Sequence, residues 1–283
     1  MEIKRAKIVL IVFALIIGLV WTAIFSLPDN QLHLVFCDVG QGDAILIYQG
    51  STQILIDGGP NQNVLNCLSN HIPFWDRKIE MMVATHPEAD HITGLIDVVE
   101  RYSVKQFVAN SFGKSTAVYQ EFQTAVLEEQ ANVYFPKEGD EINLGLIKLA
   151  VLWPQSQEKV LGITTVEREA NEISIVFQLS YGNFCALFTG DISSKIESRL
   201  DRVQPCQVLK VAHHGSKYST NEKFLKQIQP EIAIISVGKN PFGHPTEEVL
   251  ERLRYLDTKI LRTDQKGEIE VVSDGRRWYT KNQ

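Results

Sequence analysis

The chain has 283 residues and a formal charge of −6, with 44 % hydrophobic and 22 % charged residues. That balance supports a packed core and excludes a disordered or collagen-like chain, while the acidic excess gives no sign of the general attraction to nucleic acid that a basic surface confers. No linker rich in proline, glycine or serine and no solenoid-length repeat divides the sequence, so one large domain is expected after the N-terminal segment.

Lys4, Arg5 and Lys7 precede an apolar run from Ile8 to Leu27, broken only by Gly18, Thr22 and Ser26. At about 1.5 Å per residue this run matches a hydrocarbon core of about 30 Å and exceeds the apolar region of a cleaved signal peptide. The expected organisation is a cytoplasmic tip (1–7), one transmembrane helix (8–27), a linker (28–31) and a domain (32–283). The positive-inside rule puts the domain on the extracytoplasmic side of the cell membrane. Without Glu2, Lys4, Arg5, Lys7 and Asp29, the remainder has 25 basic against 32 acidic residues, a charge of −7.

Residues 32–37, 44–48 and 53–56 read as strands, and 63–71 as a helix. The strands are separated by glycine-marked loops bearing acids, Asp38-Val39-Gly40-Gln41-Gly42-Asp43 and Asp57-Gly58-Gly59. After the apolar run Met81-Met82-Val83-Ala84 comes Thr85-His86-Pro87-Glu88-Ala89-Asp90-His91, followed by apolar residues at helical spacing to about residue 102. Two imidazoles and two carboxylates thus fall within six residues on a strand-to-helix loop, where active sites concentrate. Carboxylates about 4 Å apart repel by roughly 4 kcal/mol at an effective dielectric near 20, so crowding Glu88 with Asp90 calls for a cation.

Alternating elements continue: a strand at 105–109, a helix at 117–130 and a strand at 132–135. A hairpin is expected at 141–152, and strands at 172–179 and 184–189 lead to Gly190-Asp191. A helix is expected at 194–202 and a buried strand at 208–212, ending in His213-His214-Gly215-Ser216. A helix at 221–229, a strand at 232–237, the loop Gly238 to Pro245, a helix at 247–256 and a closing strand at 260–272 complete the α/β pattern. Paired histidines after a buried strand suit a metal better than packing, and His213, nearer the strand, is the first choice. Cys37, Cys67, Cys185 and Cys206 have no C-x-x-C spacing and three lie in apolar runs, which leaves both buried thiols and disulfides open.

The ordered set of His86-x-Glu88-x-Asp90-His91, Thr189-Gly190-Asp191 and His213-His214-Gly215-Ser216 resembles the metallo-β-lactamase superfamily. With Asp38 to Asp43, Asp57-Gly58-Gly59 and Gly243-His244-Pro245 it is similar, more narrowly, to the C-terminal hydrolase domain of ComEC, the DNA-uptake channel. The resemblance implies an αββα four-layer sandwich, here preceded by the single transmembrane helix. It further implies one or two divalent ions (zinc, manganese or iron), with His86 and Glu88 on the first, Asp90 and His91 on the second and Asp191 bridging both. His213 or His214 completes the second site. Asp43 and Asp57 read as orienters of ligands; Ser216, Lys217, Asn240, His214 and His244 as substrate contacts; Asp90 and His244 as catalytic groups.

Two departures stand out. ComEC's multi-span channel portion is absent, and Glu88 stands where the superfamily usually has histidine and ComEC-like domains aspartate. No histidine occurs between residues 91 and 213 to supply the usual third ligand of the first site, and Asn171 or Glu172, in a polar Asn-x-x-Ser segment, are the candidates near it.

The function so implied is metal-dependent hydrolysis of a phosphodiester, single-stranded or duplex DNA outside the membrane, with a separate channel protein as a partner. The charge of −7 predicts modest, salt-sensitive affinity unless Lys210, Lys217 and Lys239 form a local positive patch. Hydrolysis of another ester or a β-lactam, and a non-catalytic module that docks DNA or a partner, are the alternatives. A diiron redox protein shares the His-x-Glu-x-Asp-His pattern but needs a flavin domain for which the sequence has no glycine-rich phosphate loop.

Overall fold

A computed structural model describes residues 2–25, 29–110, 116–155 and 170–281; in the N-terminal helix the described side chains are those of Lys7, residues 9–18 and Trp21. That helix, α1 (Glu2–Phe25), exposes Val9, Leu10, Phe13 and Trp21. Among the described residues no helix is long and apolar enough to cross a membrane. The expected span at 8–27 is therefore not supported by them, because Ile8 and most side chains beyond Gly18 lie outside the described residues.

The first half of the domain contains β1 (Leu32–Phe36), β2 (Ile45–Gln49), β3 (Thr52–Ile56), α2 (Asn63–His71), β4 (Lys78–Ile79), β5 (Met81–Ala84) and α3 (Ala89–Val99). It continues with β6 (Ser103–Val104), β7 (Gln106–Ala109), α4 (Ala117–Glu128) and β8 (Asn132–Tyr134). The second half contains β9 (Glu141–Leu144), β10 (Ile147–Trp153), β11 (Val176–Tyr181), β12 (Phe184–Phe188), α5 (Ser194–Glu197), β13 (Val208–Lys210) and α6 (Glu222–Ile228). After these come β14 (Ile232–Ile235), α7 (Glu247–Tyr255), β15 (Lys259–Arg262), α8 (Thr263–Lys266), β16 (Ile269–Ser273) and β17 (Trp278–Lys281).

Two large sheets result. One has eight strands in the order β17-β16-β1-β2-β3-β5-β7-β8, the other seven in the order β15-β14-β13-β12-β11-β10-β9. The central strands β2, β3 and β5 of the first sheet are largely apolar because both faces are buried, whereas the edge strands β8 and β17 are partly exposed. Leu34, Phe36, Ile45, Ile47, Ile54 and Ile56 face Phe177, Leu179, Phe188, Val208 and Ile232 of the second sheet. The alternate residues Val35, Leu46 and Leu55 pack under Val64, Leu68, Ile92, Leu95 and Phe122 of α2, α3 and α4. On the far side, Val176, Leu187, Leu209 and Ala233 pack under α5, α6 and α7. Helix, sheet, sheet, helix is the expected four-layer order.

Three local expectations are corrected. Residues 170–173 form a 3-10 turn rather than the start of a strand, fixed by the Trp153 indole N–H donating to Glu172 O at 2.7 Å. Helix α5 ends at Glu197, short of residue 202. The expected closing strand at 260–272 is two strands in different sheets: α8 and Gly267, with a left-handed φ of 70°, carry the chain from β15 across to β16 beside β1. Cys37 pairs with Cys67 and Cys185 with Cys206 as disulfides.

Candidate metal centre

Strands β3, β5 and β7 run parallel in one sheet, and β12 to β15 in the other. Loops past their carboxyl ends share one edge of the sandwich, the usual place for a ligand in open α/β sheets. Asp57 follows β3, Thr85 to His91 follow β5, Asp191 follows β12, His213 and His214 follow β13, and His244 lies beyond β14. Glycines let the loops touch. A Cβ on Gly94 would lie 2.0 Å from Gly58 O, and one on Gly58 would lie 2.5 Å from Leu95 N, so the Asp57 loop seats its backbone directly on α3.

Three imidazoles are fixed by their Nδ1 atoms. Asp57 accepts from Thr85 N–H (2.8 Å), from Thr85 Oγ1–H (2.6 Å) and from His91 Nδ1–H (2.9 Å). With its proton committed to Asp57, Thr85 Oγ1 accepts from His86 Nδ1–H at 3.0 Å. His214 Nδ1–H donates to Ser236 O at 2.8 Å. Each ring therefore presents a bare Nε2 lone pair. His86 Nε2, His91 Nε2 and His214 Nε2 are buried and make no hydrogen bond. They lie 4.0, 3.5 and 3.5 Å from Asp191 Oδ2, and His214 Nε2 lies 3.4 Å from Asp90 Oδ2. His86, His91 and Asp191, and likewise Asp90, His91 and His214, offer ligand atoms all within 4.8 Å of one another. Buried lone pairs with no partner are costly, and three of them beside two carboxylates are the donor set of a divalent metal. The residues fit the ion.

Charge enforces the arrangement. Burial opposes ionisation of Asp191, but His214, His91 and Lys210 outweigh it and hold its carboxyl well below the usual range. Burial likewise opposes charge on His91, yet the carboxylates of Asp191 and Asp57 raise its pKa well above that of an ordinary imidazole, the same negative field that favours a cation at this spot. His86, buried beside His91, is pushed well down.

The pocket over this cluster is lined by Gln41, Glu88, Asp90, Asn171, Asp191, His213, His214, Phe242 and His244. His214, not His213, stands among the converging ligand atoms: both residues adopt left-handed φ near 51–52°, and that turn sends His214 inward while His213 faces the pocket beside His244, ring centroids 5.5 Å apart. Glu88, the residue before α3, lines the mouth without joining either ligand set. Asn171 reaches the pocket and Glu172 instead meets Lys195 at 3.2 Å.

The expected substrate contacts fare unevenly. His244 lines the pocket with a buried, unpartnered Nδ1, its pKa lowered by burial and by His213. Asn240 spends its amide on its own loop: Nδ2 donates to Gly238 O (2.9 Å) and His244 O (2.8 Å), and Oδ1 accepts from Phe242 N–H (3.1 Å) and His244 N–H (3.0 Å). That uses its full capacity of two donors and two lone pairs. Ser216 is buried off the pocket and Lys217 lies over the Tyr218 ring.

Lys210 is not a surface residue. Its buried ammonium forms an ion pair with Asp43, donates to Gly190 O at 2.9 Å and sits 3.5 Å from Asp191 Oδ1. A lysine inside the apolar strand Val208-Leu209-Lys210-Val211 was the signal that could have found it. Asp43 approaches His91 and His214 at 3.7 and 3.6 Å.

Known proteins resemble this chain in sequence and fold. The chain is 30 % identical over 252 residues to Recombination protein 2 of Haemophilus influenzae, and 29 % over 275 residues to ComE operon protein 3 of Bacillus subtilis. Each match covers 87 % of this chain but only 29 % and 34 % of those proteins, respectively, so the chain spans about a third of their length. Among solved structures, the metallo-β-lactamase fold protein YhfI from Bacillus subtilis superposes with a TM-score of 0.55 over 83 % of this chain and 96 % of that one, at 11 % identity, a likeness of fold. The sequence pattern of the metallo-β-lactamase superfamily matches residues 37–239, from the disulfide-bonded Cys37 to the loop after β14, and this chain belongs to that superfamily.

Proposed function

We propose that the domain is a metal-dependent phosphodiesterase acting on DNA at the outer face of a membrane to which α1 anchors it. The observation that carries the reading is the set of three buried Nε2 lone pairs turned toward Asp191, each fixed by an acceptor behind its ring. His86, His91, His214, Asp90 and Asp191 would hold the cation. Bound there, a divalent ion supplies Lewis acidity toward a phosphoryl oxygen and acidifies water. Glu88 and Asn171 line the same mouth and would complete a second site of zinc, manganese or iron.

The chain's own residues do the rest. His244, whose Nδ1 has no other partner, would contact the phosphoryl group or pass a proton to the departing oxygen, and Asn240 fixes the loop that carries it. The anchor reading rests on the sequence, whose apolar run from Ile8 to Leu27 has the length of a bilayer core of about 30 Å, since no described helix qualifies as a span. The curated relatives carry the names Recombination protein 2 and ComE operon protein 3, the first of which supports DNA as the substrate; a separate channel protein would be the partner.

The test uses the full chain in detergent, loaded with manganese or zinc, against end-labelled oligonucleotides. Cleavage that chelator abolishes and metal restores is expected. Intact DNA after incubation with protein of verified metal content would sink the reading.

A further inference from the structure

The pocket has a volume of about 180 Å³, well below the roughly 300–1,000 Å³ of sites that engulf a small molecule. It admits a phosphodiester and leaves the attached base outside. At its rim stands Phe242, 68 % exposed. Most exposed apolar residues need no explanation, but this one is held in place: Asn240 accepts from its backbone N–H, binds His244 on both sides of the turn, and keeps the ring leaning on the His244 imidazole, 5.8 Å between centroids. The loop is further pinned where Gly215 meets Pro245, since a Cβ on Gly215 would lie 2.5 Å from Pro245 Cβ. Lys239, Pro241 and Gly243 beside the ring are exposed and contribute no large apolar side chain. The loop itself thus adds no further large apolar side chain beside the ring.

We propose that Phe242 is the platform on which the nucleobase next to the scissile phosphodiester stacks. The site then takes strands whose base at that position is unpaired, because a base inside a duplex already has both π-faces covered by its neighbours. The inference rests on the phosphodiesterase reading and specifies which form of the substrate the site accepts. Phe242 binds ground state and transition state alike, so it acts on KM rather than kcat.

The test is the full chain against a single-stranded oligonucleotide carrying 2-aminopurine, whose fluorescence is quenched on stacking. The wild-type protein should quench it, Phe242→Trp should retain quenching and Phe242→Ala should lose it, with metal content unchanged in all three. For cleavage, Phe242→Ala should raise KM about tenfold or more on single strands with kcat little altered. The difference should vanish on a strand with an abasic site at the scissile position. Absent quenching by the wild type, or equal quenching and KM in Phe242→Ala, overturns the proposal. Quenching without any cleavage keeps the platform and removes the hydrolase reading instead.

Discussion

The ammonium of Lys210 and the carboxylate of Asp43 form an ion pair beneath the candidate metal centre, both side chains no more than 2 % exposed. Lys210 also engages Asp191 Oδ1, leaving Oδ2 as the oxygen that faces the three imidazoles. Burial works against a charged lysine, and Asp43 and Asp191 more than offset it. Lys210→Met strands two buried carboxylates, and removing one partner of a buried pair typically costs about 3–5 kcal/mol. Urea unfolding in chelator should show a loss of that order, partly recovered in Lys210→Met combined with Asp43→Asn, which restores the charge balance. A single variant within about 1 kcal/mol of wild type, the ordinary scale of a mutation, would mean that the pair is not what holds this floor together.

Asp57 acts through His91. Its φ of 58° is left-handed, a strained conformation that a non-glycine residue keeps where the surroundings over-determine it. In Asp57→Asn one acceptor oxygen becomes an amide donor, which cannot satisfy Thr85 and His91 together. Metal affinity should fall about 10-fold to 100-fold, the usual scale for a group that orients a ligand, with the fold retained. Titration calorimetry with manganese or zinc measures this, and an unaltered Kd would remove Asp57 from that role.

Between His213 and His214 metal content decides. His214→Ala should lower bound metal per chain, whereas His213→Ala should keep it, since only His214 Nε2 lies within reach of both Asp90 and Asp191. Elemental analysis after dialysis reads the outcome, and equal losses in the two variants would contradict the assignment by geometry.

The layers and the motif loops were legible because both follow from local pattern: continuous apolar strands, glycine-marked turns and ligands directly past strand ends. Distinguishing His214 from His213 was not, because the choice depends on two successive left-handed residues that sequence spacing does not encode. Asn240 read as a substrate contact for want of its four loop partners, none of which is signalled by residue type. Lys210 was assigned to a surface patch because a lone lysine usually is exposed; its burial appears only when β13 is placed between β12 and β14 with Asp43 arriving from the other sheet. The return of β16 and β17 to the first sheet is a long-range pairing with β1, and periodicity reports only the strand, not its neighbour.

The loop that follows the paired histidines is held by Glu197 and Arg252. Glu197 accepts from Asn221 N–H at 2.8 Å, from Asn221 Nδ2 at 2.6 Å and from Thr220 N–H, while Arg252 donates to Ser219 O, Thr220 O and Lys217 O at 2.8 to 3.1 Å. Burial raises the Glu197 carboxyl, against those hydrogen bonds, from 4.5 to about 7. A folded-state pKa above the unfolded one means that the native state binds the proton more tightly. The resulting stability is therefore full below pH 4.5 and is lost as pH rises through about 7. Over that window the loss is on the order of 3 kcal/mol. Glu197→Gln cannot titrate, so the stability of wild type relative to the variant should decline by that order between pH 4.5 and 8. Urea unfolding of both proteins in chelator gives the difference, in which the titration of His33 and the other shared groups cancels. Parallel pH profiles would show that Glu197 keeps its charge in the fold and that the clamp is a pH-independent ionic one.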